Sequence, residues 1–194
     1  MVSLVIRSIR TTLILSVILC GAYPLCVLLV GKTLFPNKVD GGILVNSKGQ
    51  MVGTHLIGQN FTRPEYFHGR PSAAGQNGYD AANSSGSNLG PTSQKLLKAV
   101  QDNVQKTRTE NASSGLVPVD LVTTSASGLD PHISPLGAEF QLERVAKARR
   151  MNVESLKGLV LKYTSGRDLG IFGEPTVNVL ELNLALDELS PVGR

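Results

Sequence analysis

One long apolar run lies near the start of the chain, and mixed polar sequence follows it. The run extends from Thr11 to Val30. A helix rises about 1.5 Å per residue, so a helix of this length covers roughly 30 Å, the thickness of a bilayer core. We therefore predict a short N-terminal segment (1–10), a transmembrane helix (11–30) and one domain after the membrane (31–194).

Beyond residue 40 the pattern alternates between strand-like and helix-like stretches, which predicts an α+β fold with one N-terminal transmembrane helix and a mixed α/β extracytoplasmic domain. Ser134 and Asn152 have the side chains that begin helices, and Pro135 suits the first helical position. The predicted strands are a hairpin within 43–57, then 118–123 and 177–180, and the predicted helices are 92–109, 134–150, 153–163 and 182–189.

The segment 60–91 has no sustained period and is dense in Gly, Pro, Ser and Asn. A stretch this long is either disordered or an ordered functional loop. Phe61, Tyr66, Phe67 and Tyr79 provide aromatic side chains that can anchor it. We therefore predict an ordered loop, with one helical turn at 63–67.

Basic residues flank the apolar run on both sides. Arg7 and Arg10 precede it and Lys32 follows it. With the positively charged amino terminus, the N-terminal side is slightly the more basic of the two. The positive-inside rule therefore favours a cytoplasmic N-terminus and a main domain outside the cytoplasm. A cleaved signal peptide and a lipoprotein site at Cys20 remain alternatives, although no small-x-small cleavage site follows the run and Leu19 is too large for a lipoprotein site.

Small residues recur along the apolar run. Ser16 and Cys20 are four positions apart, and so are Ala22 and Cys26. Small residues at this spacing allow helices to approach closely, which favours packing against neighbouring membrane helices. A simple anchor is the alternative. The two cysteines point about 120° apart on one helix, so they cannot form a disulfide with each other.

The charge of the chain points away from nucleic acid. The net charge is +4, from 19 basic and 15 acidic residues, and the basic residues are scattered. Nucleic-acid binding needs a clustered basic face. The three histidines have no metal-ligand spacing, so we expect no metal site. The sequence indicates no residue set for a directly bound cofactor.

Three groups of polar residues are candidates for function. His68 and Arg70 could hold a partner's carboxylate, or form an internal ion pair with Glu65 or Asp80. Ser87 and Asn88, within Gly86–Gly90, form either an anion-binding loop or a surface turn.

The third group lies in the polar stretch 117–135. Ser127, Asp130 and His132 could form a hydrolytic triad. No Gly-x-Ser-x-Gly elbow is present, however. We therefore favour Asp130 as a turn residue whose carboxylate binds backbone amides.

The stretch 117–135 and five other strings resemble, in order, the C subunit of the Kdp-type potassium-transporting P-type ATPases. The strings are GTHLIGQNF (53–61), YFHGRPSA (66–73), SSGSNLGPT (84–92), RVAKAR (144–149) and VNVLELNLALD (177–187). The resemblance covers nearly the whole chain.

The resemblance implies a non-catalytic accessory subunit of a potassium uptake complex in the cell membrane. Its partners would be a potassium-channel-like subunit and a P-type ATPase subunit, with ATP and potassium acting at the level of the complex. The family role implied is assembly, with a chaperone-like increase in the ATP affinity of the ATPase subunit.

ATP is cytoplasmic and the main domain is expected outside, so we favour assembly and gating at the external potassium entrance. The alternative functions are a membrane-anchored extracytoplasmic hydrolase and a binding module.

Overall fold

The computed structural model describes residues 1–46 and 48–190 of the chain. It divides into two compact units, Met1–Ile43 and a second unit that begins at Leu44. Each unit is described separately below.

The first unit is dominated by one continuous helix. It consists of α1 (Val2–Ser16), a π-helical segment (Val17–Ala22) and α2 (Tyr23–Leu34), and the short helix α3 (Pro36–Val39) follows it. The continuous helix of 33 residues is long and apolar enough to cross a membrane, as predicted. It begins earlier and ends later than the apolar run at 11–30, and at about 1.5 Å per residue it measures roughly 50 Å.

The π-helical segment lies immediately before a proline. Pro24 has no backbone N–H, and its ring crowds the carbonyl of Cys20, four residues earlier. The segment changes the hydrogen-bond spacing, because the N–H of Tyr23 donates to the carbonyl of Ile18. Local π geometry of this kind lets a membrane helix accommodate a proline without ending.

The second unit has a small hairpin and a helical layer around a short sheet. Strands β1 (Ile43–Val45) and β2 (Met51–Thr54) form a two-stranded sheet, which confirms the predicted hairpin. The remaining elements are α4 (Gln94–Asn111), a 3₁₀ turn (Val119–Leu121), β3 (His132–Ile133), α5 (Pro135–Phe140), α6 (Leu142–Arg149), α7 (Val153–Lys162), β4 (Thr164–Ser165), β5 (Thr176–Asn178) and α8 (Val179–Leu189).

The second sheet has three antiparallel strands in the order β3-β5-β4. Val177 is central, since it is opposite both Ile133 and Thr164. The strands are too short to form a core alone, so the helices cover them. The buried core consists chiefly of Phe67, Leu121, Ile133, Leu142, Val145, Leu156, Val160, Val177, Leu182 and Leu186.

Helix starts follow the sequence signals closely. The Ser134 hydroxyl accepts a hydrogen bond from Gly137 N–H, and the Asn152 side chain accepts one from Glu154 N–H. These bonds satisfy backbone donors that a helix start leaves unpaired. Both N-caps were predicted.

The predicted strand at 118–123 is wrong. Val119–Leu121 forms a 3₁₀ turn instead, and the hydroxyl of Thr123 donates to the Val119 carbonyl across it. The Asp120 carboxylate accepts a hydrogen bond from Ser134 N–H at 2.6 Å. A side chain bound in this way competes with a strand ladder for the backbone.

Two other boundaries also differ. The predicted helix 134–150 is divided at Gln141, which has φ −95° and ψ −7°. The predicted strand 177–180 ends at Asn178, because the Asn178 side chain accepts hydrogen bonds from Leu180 and Glu181 N–H and so begins α8 there. The predicted helical turn at 63–67 is a single turn closed by one hydrogen bond, from Tyr66 N–H to Arg63 C=O.

Candidate functional site

The long loop, residues 60–91, enters the core with its backbone hydrogen-bonded to two amide side chains. Asn183 accepts from Phe67 N–H and donates to Phe67 C=O, both at 2.9 Å. Gln141 does the same for His68, at 2.8 Å and 3.1 Å. Each side-chain amide therefore supplies the donor and the acceptor that a neighbouring strand would supply in a sheet. This allows an irregular segment to be buried without unpaired backbone groups.

Two arginines satisfy the preceding carbonyls of the long loop. Arg144 Nη1 donates to the carbonyls of Pro64 (2.6 Å) and Tyr66 (2.9 Å). Arg149 Nε donates to the Glu65 carbonyl at 2.7 Å. Burial lowers the pKa of Arg144 to about 10, so this guanidinium is still charged at neutral pH. Helices α6 and α8 thus fix the entry of the long loop.

Arg70 connects the long loop to a second segment, the serine loop, defined as residues 122–131. Its Nη1 lies 3.1 Å from Asp130 Oδ2, and Nε and Nη2 face the carbonyls of Thr123 and Thr124 at 3.4 Å. The hypothesis of an internal ion pair was correct, but the predicted partners, Glu65 and Asp80, were wrong.

Ser72 and Tyr79 add further bonds between the two loops. The Ser72 hydroxyl donates to the Gly128 carbonyl at 2.6 Å and accepts from Tyr79 N–H at 2.7 Å. The Tyr79 hydroxyl donates to the Arg70 carbonyl at 2.7 Å. Burial and the nearby Asp130 carboxylate raise the pKa of Tyr79 to about 12, so the phenol remains a donor at neutral pH.

Two glycines allow the loops to cross at close range. Gly128 has φ +67°, and a Cβ there would meet the Ser85 carbonyl and lie 2.8 Å from Ala74 N. A Cβ on Gly86 would lie 2.7 Å from the Ala126 carbonyl. Larger residues at these positions would push the backbones apart, so the crossing depends on glycine.

The three candidate triad residues lie close in sequence but are not connected as a triad. Asp130 Oδ1 accepts from His132 N–H at 3.0 Å and lies 3.4 Å from His132 Nδ1. The Ser127 hydroxyl accepts from Leu129 N–H at 3.1 Å and faces Ser125 Oγ at 3.4 Å. Within the described residues no hydrogen bond joins Ser127 to His132, whereas the predicted turn role of Asp130 is confirmed.

The electrostatics of Asp130 agree with that turn role. Partial burial acts to raise the pKa of the carboxyl, but the hydrogen bonds from His132 and the Arg70 guanidinium outweigh burial and lower the pKa below its usual value. Asp130 is therefore a stable anion with its oxygens engaged, rather than a group poised to exchange protons near neutral pH.

A polar cleft of about 290 Å³ opens between the long loop and α4. His68 and Arg70 line one side, and Asn103, Lys106 and Glu110 of α4 line the other. Both signs of charge face the cleft, which suits a polar or zwitterionic group better than a simple anion.

Two acceptor groups face the ring nitrogens of His68 in this cleft. Its Nε2 lies 3.0 Å from the Arg63 carbonyl and its Nδ1 lies 3.5 Å from Glu110 Oε2. Burial and the Arg144 guanidinium lower the pKa of His68, while the Arg63 carbonyl and Glu110 act in the opposite direction. The net effect favours the neutral imidazole at pH 7.

Ser87 and Asn88 lie in an exposed stretch of the long loop. Asn88 has φ +50°, a left-handed conformation that asparagine tolerates better than most residues. The described stretch 84–90 is irregular and has no backbone turn at Ser87 or Asn88, and its ability to bind an anion stays a prediction.

Comparison with known proteins gives the family. A family model described as the c chain of K⁺-transporting ATPases, KdpC, matches residues 5–188. The chain belongs to the KdpC family. The resemblance inferred from the sequence is therefore confirmed, and the family is that of a subunit of the potassium-transporting ATPase.

Several curated KdpC relatives match nearly end to end. The potassium-transporting ATPase KdpC subunit of Nitratidesulfovibrio vulgaris is 52% identical over 98% of this chain and 96% of its own length. The KdpC subunit of Koribacter versatilis is 50% identical over 96% and 95%, and that of Myxococcus xanthus is 50% identical over 96% and 89%.

The KdpC-like strings contain residues whose structural role the sequence did not reveal. Arg144 and Arg149 lie in RVAKAR, and Asn178 and Asn183 lie in VNVLELNLALD. All four make hydrogen bonds outside their own helix or strand. The sequence feature that could have indicated such a role was a polar residue within an apolar helical stretch, as at Asn183.

Gln141 lies outside all six strings. Its burial and its hydrogen bonds to His68 were not predicted.

The four small residues of the membrane helix lie around its π-helical segment. Ser16 ends α1, Cys20 and Ala22 lie in the segment, and Cys26 lies in α2. Ser16 has α-helical dihedral angles, and the packing role of Ser16 and Cys20 stays a prediction. Ala22 has α-helical dihedral angles, which keep Ala22 and Cys26 on the same side of the helix.

Proposed function

We propose that this KdpC-family chain is a non-catalytic accessory subunit that assembles and stabilises the ATPase complex from the extracytoplasmic side. The observation that carries the proposal is the engagement of the candidate chemical groups. Arg70 pairs with Asp130 across the two loops, and Asp130 accepts from His132 N–H. Ser127 accepts from Leu129 N–H, so these groups hold a surface in shape.

The proposed partners are the potassium-channel-like subunit and the P-type ATPase subunit of the same complex. The N-terminal helix packs against their membrane helices through Ala22 and Cys26, and the second unit contacts their external surfaces near the potassium entrance. Basic residues Arg7 and Arg10 support a cytoplasmic N-terminus in the cell membrane.

This topology separates the second unit from cytoplasmic ATP. Any increase in the ATP affinity of the complex would then reach the nucleotide site through the partner subunits, as a coupling between two distant sites. We therefore propose no direct contact between ATP and this chain.

Affinity purification of the full-length chain from native membranes in mild detergent tests the assembly role. Two large membrane subunits should co-purify, and the eluate should hydrolyse ATP when potassium is added. Recovery of the chain without membrane subunits would refute the assembly role.

Cysteine labelling tests the orientation. In a chain with Cys20→Ser and Cys26→Ser, Lys106→Cys should react with an impermeant thiol reagent in intact spheroplasts, because the Lys106 side chain is 70% exposed. The control Ser3→Cys should react only after lysis. Labelling of Lys106→Cys only after lysis would place the second unit in the cytoplasm and restore direct ATP contact.

A hydrolase is the second candidate, supported only by the 3.4 Å contact between Asp130 and His132. A serine-reactive fluorophosphonate probe separates the two functions. The accessory-subunit proposal predicts no labelling of Ser127, and labelling that Ser127→Ala abolishes would favour the hydrolase.

A further inference from the structure

The long loop contains the only Asn-Gly pair of the chain, at Asn77 and Gly78. Asparagine is most prone to lose its amide when glycine follows it, because glycine has no side chain to hinder attack by its backbone nitrogen. Asn77 is exposed at the wall of the polar cleft. Among the residues that the structure describes, neither the Asn77 side chain nor the Gly78 N–H has a hydrogen-bond partner. Both reacting groups are therefore available.

The loop itself requires glycine at position 78. Gly78 has φ +75°, in the left-handed region that other residues rarely adopt. A Cβ on Gly78 would also lie 3.2 Å from Ser72 Cβ, which is tighter than an ordinary side-chain contact. A bulkier residue at position 78 would slow the reaction, but it would strain this turn. The labile pair therefore belongs to the construction of the long loop.

The next residue, Tyr79, takes part in the crossing of the long loop and the serine loop. Its N–H donates to the Ser72 hydroxyl, which in turn donates to the Gly128 carbonyl. Its own hydroxyl donates to the Arg70 carbonyl. Tyr79 has φ +56°, which is unusual for a bulky residue, so these bonds hold a strained backbone. A change in main-chain length immediately before Tyr79 would act on all of them.

We propose that Asn77 is a site of spontaneous deamidation and isomerisation, which lengthens the main chain before Gly78 and weakens the crossing of the two loops. Hydroxide takes the proton from the Gly78 nitrogen, which then attacks Asn77 Cγ. The bond from Gly78 N to Cγ forms and the bond from Cγ to Nδ2 breaks. Nδ2 leaves as ammonia with a proton from water, which regenerates hydroxide. The product is a cyclic succinimide.

Water opens the succinimide at either of its carbonyls. Opening at the side-chain carbonyl gives aspartate with a normal main chain. Opening at the main-chain carbonyl gives isoaspartate, whose main chain runs through Cβ and Cγ and is longer by a methylene group. The balance is a water consumed and an ammonia released, with no oxidation or reduction. Either product places a carboxylate at the wall of the cleft that Arg70 and Lys106 also line.

Peptide mass spectrometry of the full-length chain, incubated in detergent at mildly alkaline pH, tests the site. Asn77 should lose its amide before Asn88, an exposed asparagine of the same loop that is followed by Leu89. Both aspartate and isoaspartate should appear at position 77, and the rate should increase with pH because hydroxide starts the reaction. Loss of the amide at Asn77 no faster than at Asn88 would overturn the proposal.

Thermal unfolding tests the effect on the loop crossing. Asn77→Gln is the matched control, because glutamine must form a larger ring and therefore reacts much more slowly. Before incubation it should unfold at the wild-type temperature, since the structure shows no hydrogen bond of the Asn77 side chain to a described residue. After the same incubation, the wild-type chain should unfold at a lower temperature than Asn77→Gln. Equal unfolding temperatures, with Asn77 deamidated in the wild-type chain, would refute the effect on the crossing.

Asn77→Asp, measured before any incubation, separates the new charge from the longer main chain. This variant carries the carboxylate on a normal main chain, so it should unfold at the wild-type temperature. If it instead unfolds as early as the incubated wild-type chain, the loss of stability comes from the charge, and the role of isomerisation is overturned.

Discussion

The Arg70 guanidinium lies 3.1 Å from the Asp130 carboxylate and joins two loops whose sequences are 60 residues apart. The other Asp130 oxygen accepts a hydrogen bond from His132 N–H at the start of β3. A single carboxylate thus connects the long loop, the serine loop and the three-stranded sheet. Its loss affects all three elements, which makes it the most informative polar position to change.

Asp130→Ala should lower the free energy of unfolding by about 1–3 kcal/mol, because Arg70 and the His132 amide each lose a charged hydrogen-bond partner. The chain has no tryptophan, so the near-UV circular dichroism of its tyrosines in detergent is a suitable measurement. Ser127→Ala is the matched control and should cost about 0.5–1.5 kcal/mol. A well-folded Ser127→Ala complex without ATP hydrolysis would contradict the structural role of the serine loop.

The pH dependence of Asp130 gives a second, separate prediction. Its pKa in the folded chain is lower than the usual 3.8, so the folded state holds the proton less tightly than the unfolded state. The stabilisation is complete above about pH 4 and is lost as the pH falls through the folded pKa. Asp130→Asn should therefore flatten the acid end of the stability profile, and an unchanged profile would show that Asp130 is not stabilised as an anion.

Much of the helical framework followed from the sequence. The apolar run, the Ser134 and Asn152 caps and the period of α4 each predicted an element that the structure contains. Two of the failures share one physical cause. At 118–123 and at Gln141, side-chain hydrogen bonds with distant residues determine the backbone, and local periodicity contains no information about those partners.

The site was predictable only in part. The turn role of Asp130 followed from its position before a proline, since Asp side chains commonly bind a backbone amide two residues later. Its pairing with Arg70 did not follow, because several acids were equally plausible partners in the sequence. The loop crossing at Gly86 and Gly128 also required the three-dimensional structure, because close backbone approach leaves no local pattern.

Gln141→Met should be among the most destabilising substitutions in the second unit. Gln141 is only 1% exposed and binds both backbone groups of His68, so methionine fills the space but leaves buried groups unpaired. We expect a loss of about 2–5 kcal/mol in the free energy of unfolding. The control Gln101→Met, on the exposed face of α4, should change stability by less than about 0.5 kcal/mol. If Gln141→Met lowers the free energy of unfolding no more than the control does, then water must replace the Gln141 amide as the hydrogen-bond partner of His68.

His68 should make stability depend on pH below about 7. Its pKa in the folded chain is lower than the usual value of about 6.5. Above the usual pKa the imidazole is neutral in both the folded and the unfolded state, so it does not make stability change with pH. As the pH falls, the unfolded chain takes up a proton before the folded chain does, so stability decreases. His68→Gln should reduce this slope in denaturant unfolding, and a slope equal to that of the wild-type chain would contradict the assignment.

Substitutions on the small-residue side of the membrane helix should separate assembly from insertion. Ala22 is the last residue of the π-helical segment, and Cys26 lies one turn further along, in α2. In lipid, helices associate through close packing rather than through the hydrophobic effect. Ala22→Leu with Cys26→Leu adds bulk at the contact, so recovery of the partner subunits should fall about tenfold. Membrane insertion, measured by resistance to carbonate extraction, should stay unchanged because leucine is as apolar as the lipid.

Val27→Leu is the matched control for the membrane-helix variant, because it enlarges a side chain that points about 140° away from Ala22 on an α-helix. It should leave both partner recovery and insertion unchanged. If the Ala22→Leu, Cys26→Leu chain recovers its partners as well as the Val27→Leu chain does, the helix is a simple anchor. Assembly would then depend on the second unit alone.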